Sequence, residues 1–379
     1  MKRISPFMKL TIALVLFCAV LLLIRILQPE QPTTAQTTQI TADTSKQKPA
    51  KVILRGTTMG TTFAITIEGL TDAQRLPEIE STIKQRLVDI NQVMSTYIPA
   101  SEISQFNRSL TTDWYNVSKE LFGIVQLAQS ISEQSQGAFD ITVGPAVNLW
   151  KFGPQTEENT TELNGIPTAD DVAQVLEHIG YQQLHLRENP PGLKKDDPQL
   201  QIDLSAIAKG YAVDQIIELL EALQLDIQYM VEIGGEIRTV SFAKNHNNRR
   251  TWRLGIQDPS GKAGTAKRIV AVKSQAIATS GDYVNYYEIE GVRYSHTIDP
   301  STAVPVQHPL ASTVVITDTC AAADAWATAL LVLGPKRAYD IANEHDQPFA
   351  VLLITRINDQ LEWTPNRAME LFLEYSETP

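Results

Sequence analysis

Hydrophobic and polar positions divide the chain into three stretches of different character. Residues 10–24 form a nearly unbroken apolar run, preceded by Lys2, Arg3 and Lys9 and followed by Arg25. Residues 28–50 are polar, rich in Thr and Gln and punctuated by Pro, a composition that cannot bury a core. From residue 51 onward, apolar positions recur with strand and helix periods in mixed order. Short apolar runs predict strands over 52–54 and 63–67, on either side of a Gly-Thr-rich turn at 56–62. Helical spacing covers 79–94, 121–134 and 211–223. A further helix over 168–179 begins with Thr168 as its cap and Asp170 and Asp171 in the first turn, where the helix dipole favours acids. Strands are predicted at 181–186, 201–204, 229–233, 236–240, 251–256 and 269–272, and polar loops at 190–198 and 245–250. The conspicuous helix of the second half, 321–333, meets a stop at Gly334-Pro335. Strand and helix signals without strict alternation make the fold class α+β with antiparallel pieces. No repeat and no internal boundary stands out, so the expected organisation is a signal or anchor (1–27), a tether (28–50) and one catalytic domain (51–379).

The basic residues before the apolar run place that end in the cytoplasm and the rest of the chain across the membrane. The run is long for a cleavable signal and short for a full span, and Ile26 and Leu27 extend it. The reading favours an uncleaved inner-membrane anchor with the folded part in the periplasm, ahead of a cleaved signal. Phe17 stands before Cys18, where a lipidation site needs a small residue, which speaks against a lipoprotein. Cys18 and Cys320 are the only cysteines and lie in unlike settings, so no internal disulfide is expected. A formal charge of −11 offers no footprint for nucleic acid and argues against docking on anionic lipid through the folded domain.

Three constellations carry candidate chemistry. Residues 320–334 (CAAADAWATALLVLG) are apolar almost all the way round, which predicts burial and leaves Asp324 out of place. A buried carboxylate must be paired, protonated or bound to a cation. Thr328 follows one turn later on the same face, and two oxygen donors at this spacing suit Mg²⁺. From this helix alone, an ordinary Asp paired with Arg or capping a neighbouring loop is the slightly favoured reading. Residues 202–214 (IDLSAIAKGYAVD) run from a strand through a tight turn into a helix, where Asp203 can accept hydrogen bonds, Lys209 can neutralise phosphate and Gly210 allows close approach. A capped helix with a solvated Lys is the alternative. In residues 278–305, two strand-like stretches flank Gly291 and lead to His296 beside an Asp-Pro turn, a candidate acid or base if it is not simply structural. There is no HExxH, GxGxxG, GxxxxGK[ST] or GxSxG pattern.

Taken in order, six blocks resemble the ApbE family of FAD:protein FMN transferases: GTTMGTTF (56–63), MSTYIPASEISQFN (94–107), GAFDITVGP (137–145), IDLSAIAKGYAVD (202–214), VEIGGEIR (231–238), and the run from SGDY (280–283) through HTIDP (296–300) to DAWATAL (324–330). The resemblance implies a two-lobed α+β fold with FAD between the lobes and Mg²⁺ at its pyrophosphate. It assigns Met59, Tyr97, Ala138, Phe139 and Asp140 to the flavin side, and Asp203, Lys209 and Ile298 to nucleotide contacts. The Ala206 carbonyl, Asp324 and Thr328 would hold the cation. A Ser or Thr hydroxyl of an acceptor protein would attack the FMN-side phosphorus and release AMP, with His296 as general base and Asp282 as the rival for that role. Acceptors in the family include subunits of redox-driven ion pumps outside the cytoplasmic membrane, which suits the anchor. Glu236 and Ala303 depart mildly from the family pattern, where Asp and Gly are common. The competing readings are an FAD pyrophosphatase using the same metal site and a flavin-binding protein without turnover.

Overall fold

Residues 50–70, 72–154, 165–224, 227–241, 251–261, 264–283, 285–344, 349–358 and 360–374 are described by a computed structural model. The expected anchor and all but the last residue of the tether, together with the 245–250 loop, lie outside these residues. Among the described residues, no helix is long and apolar enough to cross a membrane.

Eight strands form one antiparallel sheet, and they follow one another across it in chain order. They are β1 (Ala50–Thr58), β2 (Thr61–Leu70), β3 (Gln228–Ile233), β4 (Glu236–Val240), β5 (Ala276–Gly281), β6 (Leu310–Thr317), β7 (Ala350–Ile357) and β8 (Gln360–Pro365). Period-two burial explains why the sheet takes partners on both faces. In β7, Val351 and Leu353 enter the main core, whereas Ala350, Leu352 and Ile354 enter a second core on the opposite face. A small sheet of Trp252–Gln257, Ala266–Val272 and Leu373–Glu374 supplies that second core with Trp252, Leu254, Val270 and Val272.

The helices are α1 (Leu76–Met94), α2 (Glu102–Arg108), α3 (Lys119–Gln134), α4 (Gly144–Leu149), α5 (Ala169–Leu176), α6 (Ala208–Ala222) and α7 (Cys320–Glu344). Of these, α1, α2, α3, α6 and α7 supply the main core on the other face, whereas α4 and α5 pack in a separate small cluster with Trp150. In α1, Ile79, Ile83, Leu87, Ile90 and Met94 are the buried stripe that the helical period predicted. Along α7, Ala323, Ala327, Leu330 and Leu331 are fully buried, so truncating Leu330 to Ala is expected to cost about 2–5 kcal/mol. The α+β class with antiparallel sheets is therefore the observed one.

Local departures from the sequence reading have local causes. The turn expected over 56–62 is only Met59-Gly60, because both take positive φ (50° and 70°) and close a two-residue hairpin, while the Thr residues on either side pair across it. Residues 190–198 are not simply a loop: Gly192–Lys195 is a strand between Tyr115–Asn116 and Leu184–Arg187. The strand expected over 181–186 begins only at Leu184, after a 3-10 turn at Tyr181–Gln183. Among the described residues, 201–204 pair with no strand, and 205–207 turn directly into α6. The Thr168 cap is a full capping box with Asp171, but the helix ends at Leu176. At Gly334 (φ 74°) the helix direction breaks as expected, yet Pro335 opens a second helical segment rather than a loop.

Candidate active site

α6 and α7 cross so closely at their first turns that a Cβ on Gly210 would lie 2.3 Å from the Cys320 carbonyl oxygen. Gly210 does allow close approach, but to the start of α7. Asp214, one turn along α6, caps α7 by accepting from the backbone N–H groups of Cys320 and Ala321, both at 2.9 Å, and is held by Arg238 at 2.6 Å. This crossing turns Asp324 toward the start of α6. The Gly210 N–H, one of the first-turn donors that find no carbonyl within the helix, donates to Asp324 Oδ2 at 3.0 Å.

Lys209 lies on the same turn as Gly210. Its ammonium is 2.6 Å from Glu236 Oε1 and 3.6 Å from Asp324 Oδ1. Burial opposes its charge, but Asp324 and Glu236 outweigh burial and raise its pKa. Burial, reinforced by the Asp324 charge, pushes the Glu236 carboxyl upward, and the ammonium of Lys209 opposes that shift. The buried Asp324 is thus paired with a backbone N–H and a lysine rather than with an arginine. Thr328, one turn further along α7, has its hydroxyl 3.1 Å from that of Ser280 on β5.

Asp203 precedes α6 and accepts from the Ser205 backbone N–H at 2.7 Å and from the Ser205 hydroxyl. Tyr97 is 61% exposed, donates to the Phe152 carbonyl at 3.3 Å, and has its pKa raised by burial and by the charge of Asp203. Met59 occupies the β1–β2 hairpin tip, half-buried against the main core. The side chains of three other expected flavin-side residues face inward. Ala138 and Phe139 belong to the main core, and Asp140 accepts from Thr142 (N–H 2.7 Å, hydroxyl 2.6 Å) and from the Tyr181 N–H (2.8 Å). Burial raises the Asp140 pKa and those hydrogen bonds oppose it. Ile298 is likewise buried, in a small cluster with Trp150 and Ala303.

His296 follows the hairpin Tyr286–Ile289/Val292–Ser295, whose turn uses positive φ at Glu290 and Gly291. Its Nδ1 lies 3.0 Å from the Asn285 carbonyl, which can only accept. Nδ1 therefore carries the proton and Nε2 keeps a lone pair. Part of the residue is open to solvent, yet burial among neighbouring atoms lowers its pKa. Lys209 lowers it further, while the Asn285 hydrogen bond and Asp282 oppose the shift. Asp282, the rival base, is clamped by Arg356 through two hydrogen bonds of 2.6 and 2.7 Å, so both its oxygens are engaged.

The family model that describes the ApbE family matches residues 59–353. The chain belongs to the ApbE family. It is 37% identical to the FAD:protein FMN transferase of Vibrio cholerae over 331 residues, 86% of this chain and 94% of that protein. Against the FAD:protein FMN transferase of Escherichia coli it is 35% identical over 336 residues, 86% of this chain and 92% of the relative. Among solved structures, the flavin transferase ApbE from Vibrio cholerae aligns with a TM-score of 0.75 at 35% identity, covering 86% of this chain and all of that one. The apo flavinyl transferase ApbE of Pseudomonas stutzeri aligns with a TM-score of 0.76 at 30% identity, covering 86% and 98%. The structure of this ApbE-family chain also contains polar partners that sequence reading passed over. Arg356 is far from Asp282 in the chain, and Glu236 drew notice only as a departure from Asp.

Proposed function

We propose that the chain is a Mg²⁺-dependent FAD:protein FMN transferase that attaches FMN to a Ser or Thr hydroxyl of an acceptor protein and releases AMP. The observation that carries this reading is the junction of Asp324, Gly210 and Lys209, where a buried carboxylate keeps one oxygen outside hydrogen-bond distance of any cationic side chain described here. Asp324 Oδ1, the Thr328 hydroxyl and the Ala206 carbonyl are hard oxygen donors of the kind Mg²⁺ takes. Among the described residues no cluster of three or more His, Cys, Asp or Glu forms a metal cage. A single carboxylate matches an ion that shares its shell with water and substrate phosphates. When bound, Mg²⁺ would offset charge on the pyrophosphate oxygens.

The chain's own residues supply the rest. Lys209 brings a fixed positive charge toward the phosphates, and Asp203 and Tyr97 orient the nucleotide. His296 Nε2 accepts the acceptor's hydroxyl proton as that oxygen bonds to the FMN-side phosphorus and the bond to AMP breaks. A neutral imidazole of lowered pKa is in the correct form for this near neutral pH. Incubation with FAD, Mg²⁺ and an acceptor domain tests the reaction: flavin fluorescence that stays with the denatured acceptor supports transfer. Free FMN and AMP with an unlabelled acceptor would instead make the chain a pyrophosphatase, and tight FAD binding without AMP release would make it a carrier.

The basic-then-apolar start of the chain supports an uncleaved inner-membrane anchor with the folded part in the periplasm, next to acceptors such as subunits of redox-driven ion pumps. Protease treatment of spheroplasts should digest a C-terminal epitope. Protection of that epitope would count against this location.

A further inference from the structure

The site contains one more acid than its lysine requires. Asp324 and Glu236 are each 3% exposed, and only Lys209 provides an ammonium between them. Glu236 uses Oε1 for that ammonium, whereas its Oε2 is buried without a hydrogen-bond partner among the described residues. A second carboxylate in this setting repels the first and costs free energy that the fold has no structural reason to spend.

The arrangement is built by the turn that carries Glu236. Gly234 (φ 63°) and Gly235 (φ 106°) close the β3–β4 hairpin and set Glu236 as the first residue of β4. A Cβ on Gly234 would lie 3.2 Å from Lys209 Cδ and 2.8 Å from Thr61 Cγ2. The same turn that presents the acid therefore leaves the passage through which the lysine stem reaches it.

We propose that Glu236 is a positioning residue that holds the Lys209 ammonium to itself and so keeps Asp324 Oδ1 open to the divalent cation. This rests on the reading of Asp324 as a cation ligand. The geometry gives the direction of the effect: the ammonium is at hydrogen-bond distance from Glu236 and a full ångström farther from Asp324. Without the Glu236 carboxylate, Lys209 has only Asp324 as a counterion and closes on it, competing with the ion for the same oxygen.

The test is Mn²⁺ binding to the full chain, followed by the electron paramagnetic resonance of free Mn²⁺ and independent of turnover. Glu236→Gln should weaken binding by about tenfold, the scale of coupling within one charge network. Lys209→Met in the Glu236→Gln background should recover most of that loss, because the competing ammonium is gone. Lys209→Met alone should bind no more weakly than the wild type, and Glu236→Asp should stay within about threefold of it. A merely structural Glu236 would not be rescued by removing a lysine. Wild-type affinity in Glu236→Gln, or a double variant as weak as the single, overturns the proposal while leaving the cation site standing. If Asp324→Asn binds Mn²⁺ like the wild type, the cation site itself falls and this inference with it. Should Glu236→Gln not fold, a Lys209→Met variant that binds Mn²⁺ distinctly more weakly than the wild type still refutes it.

Discussion

Around Asp324 two helices approach until only a glycine fits between them, and the backbone N–H groups of Gly210, Cys320 and Ala321 at the contact are each taken by a carboxylate. His296, by contrast, follows a two-stranded hairpin that is separate from the eight-stranded sheet and carries exposed Tyr286 and Val292. The difference matches the two tasks proposed for them. Holding a metal-bound pyrophosphate requires fixed distances, which buried elements supply at the cost of tolerating few substitutions. Taking a proton from another protein's hydroxyl requires that the other protein can reach the base, and an exposed hairpin allows this. Substitutions at the Asp324 end should therefore disturb cation binding where they remove an oxygen and the fold where they add bulk, whereas those at the His296 end should disturb rate alone.

The largest effect is expected from Asp324→Asn. The amide oxygen can still accept from the Gly210 N–H, so the crossing survives, but the only anionic cation ligand is gone and AMP release should fall to background. Near-wild-type AMP release at limiting Mg²⁺ would show that the buried end does not hold the ion. His296→Asn comes next, with transfer slowed by about 10² to 10⁴ while FAD affinity changes little. The sign of the pH dependence follows from the lowered pKa: the wild-type rate should be level at neutral pH and decline only as pH falls below the ordinary histidine value, because protonation removes the Nε2 lone pair. A variant that loses binding and rate in equal proportion would place His296 with the binding groups. Arg356 holds both oxygens of Asp282, so Asp282 would need to leave that clamp to act instead.

Gly210→Ala sharpens the comparison from the side of stability. Its Cβ would meet a backbone carbonyl at 2.3 Å, which cannot rotate away, so a loss of about 3 kcal/mol or more is expected in denaturant unfolding. A similar addition at Gly291, where no atom lies within 4 Å, meets only the strain of its positive φ (78°) and should cost about 1 kcal/mol. Equal losses at the two sites would remove the distinction between a packed and a peripheral end.

Much of this was legible from local patterns. An all-round apolar helix gave away the burial of Asp324, Gly334-Pro335 marked the break in α7, and Gly291 marked the hairpin before His296. What stayed hidden depends on residues brought together only by the fold. Nothing near Gly210 announces that its neighbour is Cys320, and nothing near Glu236 announces Lys209. The strand Gly192–Lys195 escaped notice because it holds two lysines and one apolar residue. Lys195 is nonetheless 1% exposed, its ammonium donating to the Leu200 carbonyl at 3.0 Å over the ring of Phe106. The inward-facing Phe139 and Ile298 show a related limit. A motif gives a residue's position in the chain, while the direction its side chain faces is decided by packing.

The smallest effect is expected at Thr328, the neutral side chain of the proposed cation set. Its hydroxyl lies 3.1 Å from that of Ser280, so Thr328→Ala removes one donor atom and leaves the Ser280 hydroxyl beside the space created. Water can enter there, since the residue is only half-buried, and can serve both as a ligand and as a partner for Ser280. Loss of one neutral oxygen ligand replaced by water should raise the Mg²⁺ concentration needed for half-maximal AMP release by no more than about tenfold, with the maximal rate nearly unchanged. Thr328→Ser, which restores the oxygen without the methyl group, should return the Mg²⁺ requirement toward the wild-type value. A Thr328→Ala variant as inactive as Asp324→Asn, even at saturating Mg²⁺, would mean that the hydroxyl touches the reacting phosphate rather than the ion.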